Sequence, residues 1–311
     1  MGIDAIVLCG EGRASRAVFG RSKALLDVGG RPVFHRVVTA LADAGRVSRL
    51  FLVGDKVALE NALERYGYPE KPVRVVEQKK NIAENIWSTF LETLDGYTLG
   101  AERENLAVYG KMCLFVGGDC PLLTAAEIDQ FLDGADMNRY DYITGLTEAA
   151  DLKKFAPSGG KPGVVMAPFH VAEGLFRINN LHLGRPFAFR NRGAIQRLYN
   201  VRYQKNPMNA LRLLRDLWGV RSVRSRVWLI AYMQLAMTAR NCGFPDLSDR
   251  IRKRASMAGI LVGAGDVLGL KVGVSITTCG GAAIDIDNEE DYRTIRERYD
   301  EWMTMLRGSA P

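Results

Sequence analysis

IDAIVLC, residues 3–9, is an apolar run that stops at Gly10 and Gly12. It is too short for a stable helix and is punctuated by glycine, so it reads as a buried strand feeding a tight turn. The next hundred residues repeat the pattern. PVFHRVVTALADA, residues 32–44, has apolar positions at helical spacing, a proline in its first turn and Gly45 at its end. RLFLV (49–53) is a second strand, 56–66 a helix, PVRVV (72–76) a third strand and 82–94 a helix. MCLFV (112–116) is a fourth strand, and it ends in Gly117-Gly118-Asp119. Strands alternating with helices through short connections predict an α/β fold with a doubly wound, mostly parallel sheet. Such sheets place ligands at the carboxyl ends of their strands.

Beyond residue 147 the pattern changes. SGGKPG (158–163) is a loop, 164–167 a short strand, and the chain then reads as helical and basic to about residue 254. Strand-like patterns return at 272–277 and 282–286, and Asn288 caps a last amphipathic helix with acidic residues in its first turn. The expected organisation is a core of residues 1–147 plus 264–311, interrupted by a mostly helical insertion, 148–263.

Of the 311 residues, 47% are hydrophobic and 25% charged, which excludes a disordered chain. No apolar run reaches transmembrane length, and the first residues carry no basic leader. Five cysteines without a CxxC pair read as small core residues of a reduced, cytoplasmic protein. The three histidines lack zinc-site spacing. The net charge of +7 conceals an asymmetry: residues 177–254 hold 17 basic against 3 acidic residues, while the remainder is mildly acidic. That split predicts two tasks.

Three motifs carry chemistry. The first is LCGEGRASRAVFGRSKALLDVGGRP, residues 8–32, in which glycines allow close approach of phosphate oxygens and Arg13, Arg16, Arg21 and Lys23 supply positive charge. It is neither a Walker A loop nor GxGxxG. The second is LFVGGDCPLLTAAEIDQF, residues 114–131. There Asp119 follows a buried strand through two glycines and can hold a hard cation. Thr124 and Glu127 have the spacing of a capping box. The third is GGAAIDIDNEEDY, residues 280–292, whose Asp285 and Asp287 are two apart on a segment expected to be extended, so that both face one side. Mg²⁺ needs only one or two such carboxylates, with waters and phosphates completing its shell.

LCGEGRASR with Lys23, GGDCPLL and DIDNEED together resemble the GT-A-type nucleotidyltransferases, in particular the molybdenum-cofactor guanylyltransferases and related cytidylyl- and uridylyltransferases. The resemblance covers the core. It implies that Gly10, Gly12 and Arg16 cradle the triphosphate and that Lys23 contacts transferring or acceptor phosphate. It also implies that Asp119 and Asp285, with Asp287 as the third acid, hold Mg²⁺. Gly118 belongs to the metal motif, and Asn85 lies in the region that approaches the base. Catalysis would rest on Lys23, Arg16 and Asp119. Glu11 departs from the family's second glycine, and the loop is about one residue longer before Arg16. The expected activity is transfer of a nucleotidyl group from a nucleoside triphosphate to a phosphorylated or anionic acceptor. The alternatives are a metal-dependent glycosyltransferase on the same fold, which predicts a central DxD, and a catalytically inactive nucleotide-binding protein.

The basic segment supplies the expected acceptor site. RINNLHLGRPFAFRNR, residues 177–192, gathers Arg177, Asn179, Asn180, His182, Arg185, Arg190 and Arg192, groups suited to an anionic small molecule. No nucleic-acid-binding motif accompanies the charge. Residues 211–218 alternate leucines with arginines, and 227–237 is densely apolar. Core of the insertion is the favoured reading of these apolar residues over peripheral contact with an anionic membrane.

Overall fold

The computed structural model describes residues 2–10, 17–96, 106–189 and 227–308. Its centre is a twisted sheet of β1 (Ile3–Leu8), β4 (Val47–Gly54), β5 (Val73–Glu77), β6 (Cys113–Gly117), β7 (Tyr142–Glu148), β9 (Gly174–Gly184) and β10 (Val272–Thr277). Across the sheet the order is β10-β7-β9-β6-β1-β4-β5, with the short β8 (Phe169–Val171) beside β9. All neighbours are parallel except β9, which runs antiparallel to β6 and β7, and β8, antiparallel to β9. A small hairpin, β2 (Asp27–Val28) with β3 (Arg31–Pro32), lies apart.

The apolar run of β1 is continuous because both of its faces are covered. Ala5 and Val7 pack with Phe34, Leu41 and Phe131, from α1 (Val33–Asp43) and α5 (Ala125–Asp133). Ile6 faces the other way, with Phe90 of α3 (Ile82–Glu92) and Phe187. The remaining helices are α2 (Lys56–Tyr66), the one-turn α4 (Leu106–Tyr109) and α6 (Ala149–Leu152), α7 (Val227–Asn241), α8 (Pro245–Arg252), α9 (Met257–Leu268) and α10 (Glu289–Gly308). Asn288 caps α10 by accepting from the amides of Glu290 and Asp291, both at 2.9 Å. The α10 face bearing Ile295, Tyr299 and Trp302 is buried with Val28 and Phe155. The fold is therefore the expected α/β architecture: a mostly parallel sheet with helices on both faces.

Three stretches differ from the sequence expectation. Residues 164–167 are not a strand; the pairing segment is Phe169–Val171. Residues 174–184, read as the start of a helical region, form β9, an internal strand. Its apolar positions change parity midway. Phe176 is buried on the side of α7 and α9, whereas Leu181 and Leu183 are buried on the side of α1 and α5. Residues 282–286 do not pair as a strand: Gly281–Ala283 is a 3₁₀ turn and irregular chain follows. The turn packs so closely that a Cβ on Gly281 would lie 2.0 Å from the Leu122 carbonyl oxygen, so only glycine fits there.

Helix α7 buries Ala236 and Ala239, while Trp228 and Leu235 are exposed. Residues 211–218 lie outside the described residues. No helix among the described residues is long and apolar enough to cross a membrane.

Candidate active site

The carboxyl ends of β1 and β6 meet first. The Gly118 amide donates to the Leu8 carbonyl at 2.9 Å, and a Cβ on Gly118 would stand 2.7 Å from Cys9 Sγ. Only glycine permits that approach. The next residue, Asp119, is thereby fixed at the mouth of the sheet. Its backbone carbonyl accepts from the Ile286 amide at 3.1 Å, which joins the second acidic motif to the first. A side chain at Gly117 would meet Asp119 Oδ1 at 2.7 Å and Asn180 Oδ1 at 3.3 Å, so the Asp119 carboxylate and Asn180 share the space above Gly117.

Asp285 and Asp287 meet different partners rather than acting as one face of a strand. Asp285, 8% exposed, lies 3.6 Å from Arg177 Nη2. Asp287 Oδ1 lies 3.5 Å from Lys23 Nζ, and Lys23 is itself only 5% exposed. Lys23 is held inward by a short 3₁₀ turn, Lys23–Leu25, just after the glycine loop. Asn180 Nδ2 donates to the Ala282 carbonyl at 3.0 Å, so β9 also touches the turn that leads to both aspartates.

Two cysteines lie beneath this group. Burial, and then the nearby Asp119 and Asp285 carboxylates, push the Cys120 thiol well above its usual range. Burial and Asp119 do the same to Cys9. In both, burial and the neighbouring carboxylates favour the neutral thiol over the thiolate. Among the described residues, no three His, Cys, Asp or Glu side chains converge into a closed metal cage. Two hard carboxylates without a cage are nonetheless the donor set that Mg²⁺ accepts when phosphates complete its shell.

On the far side of β1, a side chain at Gly10 would meet Gln78 Oε1 at 2.8 Å and Asn85 Nδ2 at 3.3 Å. Asn85 is 9% exposed, and its oxygen accepts from the Lys79 amide. A narrow cleft of about 80 Å³ lies here, lined by Cys9, Ser22, Leu25, Asp55, Leu59 and Gln78. Gln78 was missed in the sequence. Its signal was available, because it directly follows β5 and so stands at the ligand-bearing end of the sheet.

The structure thus brings together Lys23, Gly118, Asp119, Arg177, Asn180, Asp285 and Asp287, with Gly10 and Asn85 alongside. Gly12, Arg16, Arg190 and Arg192 lie outside the described residues. Two expected acceptor residues are elsewhere. His182 lies near the carboxyl end of β9, stacked on Tyr142, with Nδ1 2.9 Å from the tyrosine hydroxyl. Arg185 is past the lower end of β9, roughly 25 Å from Arg177 by strand rise. There it donates to Tyr140 O at 2.9 Å, Asp141 Oδ1 at 3.1 Å and Gly110 O at 3.2 Å. Because β9 is a strand and not a helix, Arg177 and Arg185 are carried to opposite rims.

A glycine-backed pair of strand ends with a buried lysine and carboxylates beside it is the candidate site of this α/β fold. Residues 5–217 match the MobA-like NTP transferase domain, and the chain belongs to that family. It is similar to the 2-C-methyl-D-erythritol 4-phosphate cytidylyltransferase of Chlorobium luteolum, 27% identical over 132 residues, which are 42% of this chain. The match spans about half, 52%, of that relative's length. Among solved structures, a hypothetical transferase from Thermus thermophilus is 23% identical at a TM-score of 0.56, covering 94% of this chain and 99% of that one. CMP:2-keto-3-deoxy-manno-octonic acid synthetase with CTP matches at a TM-score of 0.47 and 11% identity, covering 96% and 99% of the two chains.

Proposed function

We propose that the protein transfers a nucleotidyl group from a nucleoside triphosphate to an anionic small-molecule acceptor, with release of pyrophosphate. The observation that carries this reading is the convergence of Lys23, Asp119, Asp285 and Asp287 at the glycine turns after β1 and β6. An acceptor oxygen attacks the α-phosphorus, the bond from that phosphorus to the bridging oxygen breaks, and pyrophosphate leaves with the electron pair. A phosphate acceptor is already ionised at neutral pH, so no protein base need take a proton. Lys23, and Arg16 from the glycine loop, neutralise charge on the transferring group. Asp119 and Asp285 are the residues that would hold Mg²⁺, which supplies charge neutralisation to the phosphates. Asp287 orients Lys23. Gly10, Gln78 and Asn85 face the base, and Arg177 and Asn180 receive the acceptor.

Cytidine triphosphate is the first nucleotide to test, because the relative from Chlorobium luteolum is a cytidylyltransferase. The protein is incubated with each of four nucleoside triphosphates, Mg²⁺ and a panel of phosphorylated acceptors, with pyrophosphate and thermal protection measured together. Pyrophosphate formed with one triphosphate and one acceptor supports transfer. Protection without turnover across the panel points to a nucleotide-binding protein that does not catalyse. In a parallel reaction with nucleotide-sugars in place of the triphosphates, cleavage without pyrophosphate points to glycosyl transfer.

A further inference from the structure

The Thr124-x-x-Glu127 spacing predicts a capping box, in which the glutamate side chain would turn back to its own helix terminus. Half of the box is present: the Glu127 amide donates to Thr124 Oγ1 at 3.3 Å. The carboxylate goes elsewhere. Oε1 accepts from the Gly280 amide at 3.0 Å and the Thr277 hydroxyl at 2.9 Å, and Oε2 accepts from the Ala282 amide at 2.8 Å. Glu127 has no exposed surface at all. Placing a carboxyl group at full burial is costly unless its acceptors are all used, and here three donors converge on it.

The turn it grips leads directly to Ile284, Asp285, Ile286 and Asp287. Gly280 has a φ of 81°, and Gly281 is pressed against the Leu122 carbonyl. The grip extends sideways. The Thr277 hydroxyl lies 3.1 Å from Asn179 Nδ2, which also donates to Thr147 Oγ1 at 3.2 Å. Asn179 sits where three residues of β9 face one of β7, between the pairs Thr144–His182 and Leu146–Ile178. That irregular step separates Arg177 from Leu181 and sets Asn180 against Ala282. One side chain therefore ties the helix following Asp119 to the turn preceding Asp285, and through Thr277 to the strand carrying Arg177.

We infer that Glu127 is a positioning residue: its carboxylate splints the Gly280–Ala282 turn and so sets Asp285 and Asp287 against Asp119 and Lys23. The role rests on the nucleotidyl-transfer reading. Glutamine is the informative replacement, because it keeps the shape but turns one acceptor into a donor facing an amide. Thr124→Ala is the control: it removes the cap of the same helix and a hydrogen bond to Cys279 beside the turn, while leaving the three donors on the Glu127 carboxylate in place.

Amide hydrogen exchange of the Gly280–Asp287 segment and calorimetric binding of Mn²⁺ with nucleoside triphosphate are measured on wild type, E127Q and T124A. In wild type, the Gly280 and Ala282 amides exchange at least 100-fold more slowly than those of the exposed Gly159–Gly160 turn. In E127Q the segment exchanges at least tenfold faster and Mn²⁺-dependent nucleotide binding weakens at least tenfold, while kcat falls more than the nucleotide KM rises. T124A stays within twofold of wild type in all of these. Gly280 and Ala282 amides that exchange in wild type as fast as Gly159–Gly160 overturn the splint without recourse to any variant. E127Q indistinguishable from T124A overturns the role of Glu127 and leaves the function standing. Wild type that takes up no Mn²⁺ with any triphosphate overturns the transfer reading, and this role with it.

Discussion

At the rim where the parallel strands begin, Asp4 Oδ2 lies 2.7 Å from both Arg49 Nη2 and Lys111 Nζ, and Arg49 also reaches Asp95 at 2.9 Å. Arg185 meets Asp141 there at 3.1 Å and caps three backbone carbonyls. At the rim where the strands end, Lys23 and Asp287 stand 3.5 Å apart, and Arg177 and Asp285 3.6 Å. The two rims use the same residue types. At the lower rim the charges form short, mutually satisfying networks that close the ends of strands. At the upper rim they stand farther apart around glycine turns, in the geometry of groups that can turn toward a third charged species. Charge content alone does not distinguish the two rims; the lengths of the contacts and the glycines between them do.

The largest effect is expected at Asp119. Asp119→Asn keeps the shape and removes the charge at the mouth of the sheet, so turnover with Mg²⁺ should fall by about a thousandfold or more, with little change in melting temperature. Steady-state pyrophosphate release with a parallel thermal melt checks both halves. Wild-type turnover in the variant would break the contrast, because the upper rim would then be as structural as the lower.

Lys23 comes next. It is buried with one carboxylate 3.5 Å away, which is a poor arrangement for stability alone. Lys23→Ala should lose about 2–4 kcal/mol of transition-state stabilisation, roughly 30- to 1000-fold in kcat/KM. A variant within twofold of wild type in both constants would leave Lys23 a structural partner of Asp287.

The third prediction sets one arginine of β9's path against the other. Arg177→Gln should raise the acceptor KM about tenfold or more and shift the melting temperature little. Arg185→Gln should do the reverse, lowering the melting temperature by a few degrees through the loss of about 2 kcal/mol of charged hydrogen bonds, with kcat/KM within twofold. An Arg185 variant with a selective acceptor defect would return that residue to the acceptor site.

That pair also marks how far the sequence could be read. The upper rim was legible because its elements are local. IDAIVLC-Gly and MCLFV-Gly-Gly-Asp each carry strand, turn and candidate site residue within about ten positions, and DIDNEED adjoins a helix cap. Its assembly was partly legible too, since strand ends in such sheets share a ligand crevice. Strand β9 was not. Its apolar residues switch faces at Asn179–Asn180, so neither strict alternation nor a helical period is present, and its arginines look like part of the basic run after it. The reach of Glu127 to Gly280 and the pairing of Asp4 with Arg49 and Lys111 were equally hidden. They join residues dozens to more than a hundred positions apart, and no local spacing encodes them.

The smallest effect is a dependence of stability on acid, and it tests the lower rim alone. Asp4 is 5% exposed at the start of β1. Burial by itself would push its carboxyl up, but hydrogen bonds from Arg49, Lys111 and Ser48 and the charge of Lys111 outweigh burial and hold it below the ordinary aspartate value of 3.8. The unfolded chain therefore binds a proton at Asp4 at higher pH than the folded chain does. The contribution of Asp4 is fully present above the unfolded value and is lost as pH falls through the depressed folded value. Asp4→Asn should lower stability at neutral pH by about 1–3 kcal/mol, because Arg49 and Lys111 keep part of their exposure and lose only one partner. It should also flatten the part of the stability curve that lies below about pH 4. Activity at pH 7 should be unchanged in the folded fraction. Urea unfolding of wild type and variant from pH 7 down to pH 3 makes the comparison. Parallel curves over that range would mean that Asp4 titrates alike in both states, and the lower rim would lose its claim to be the better-satisfied of the two.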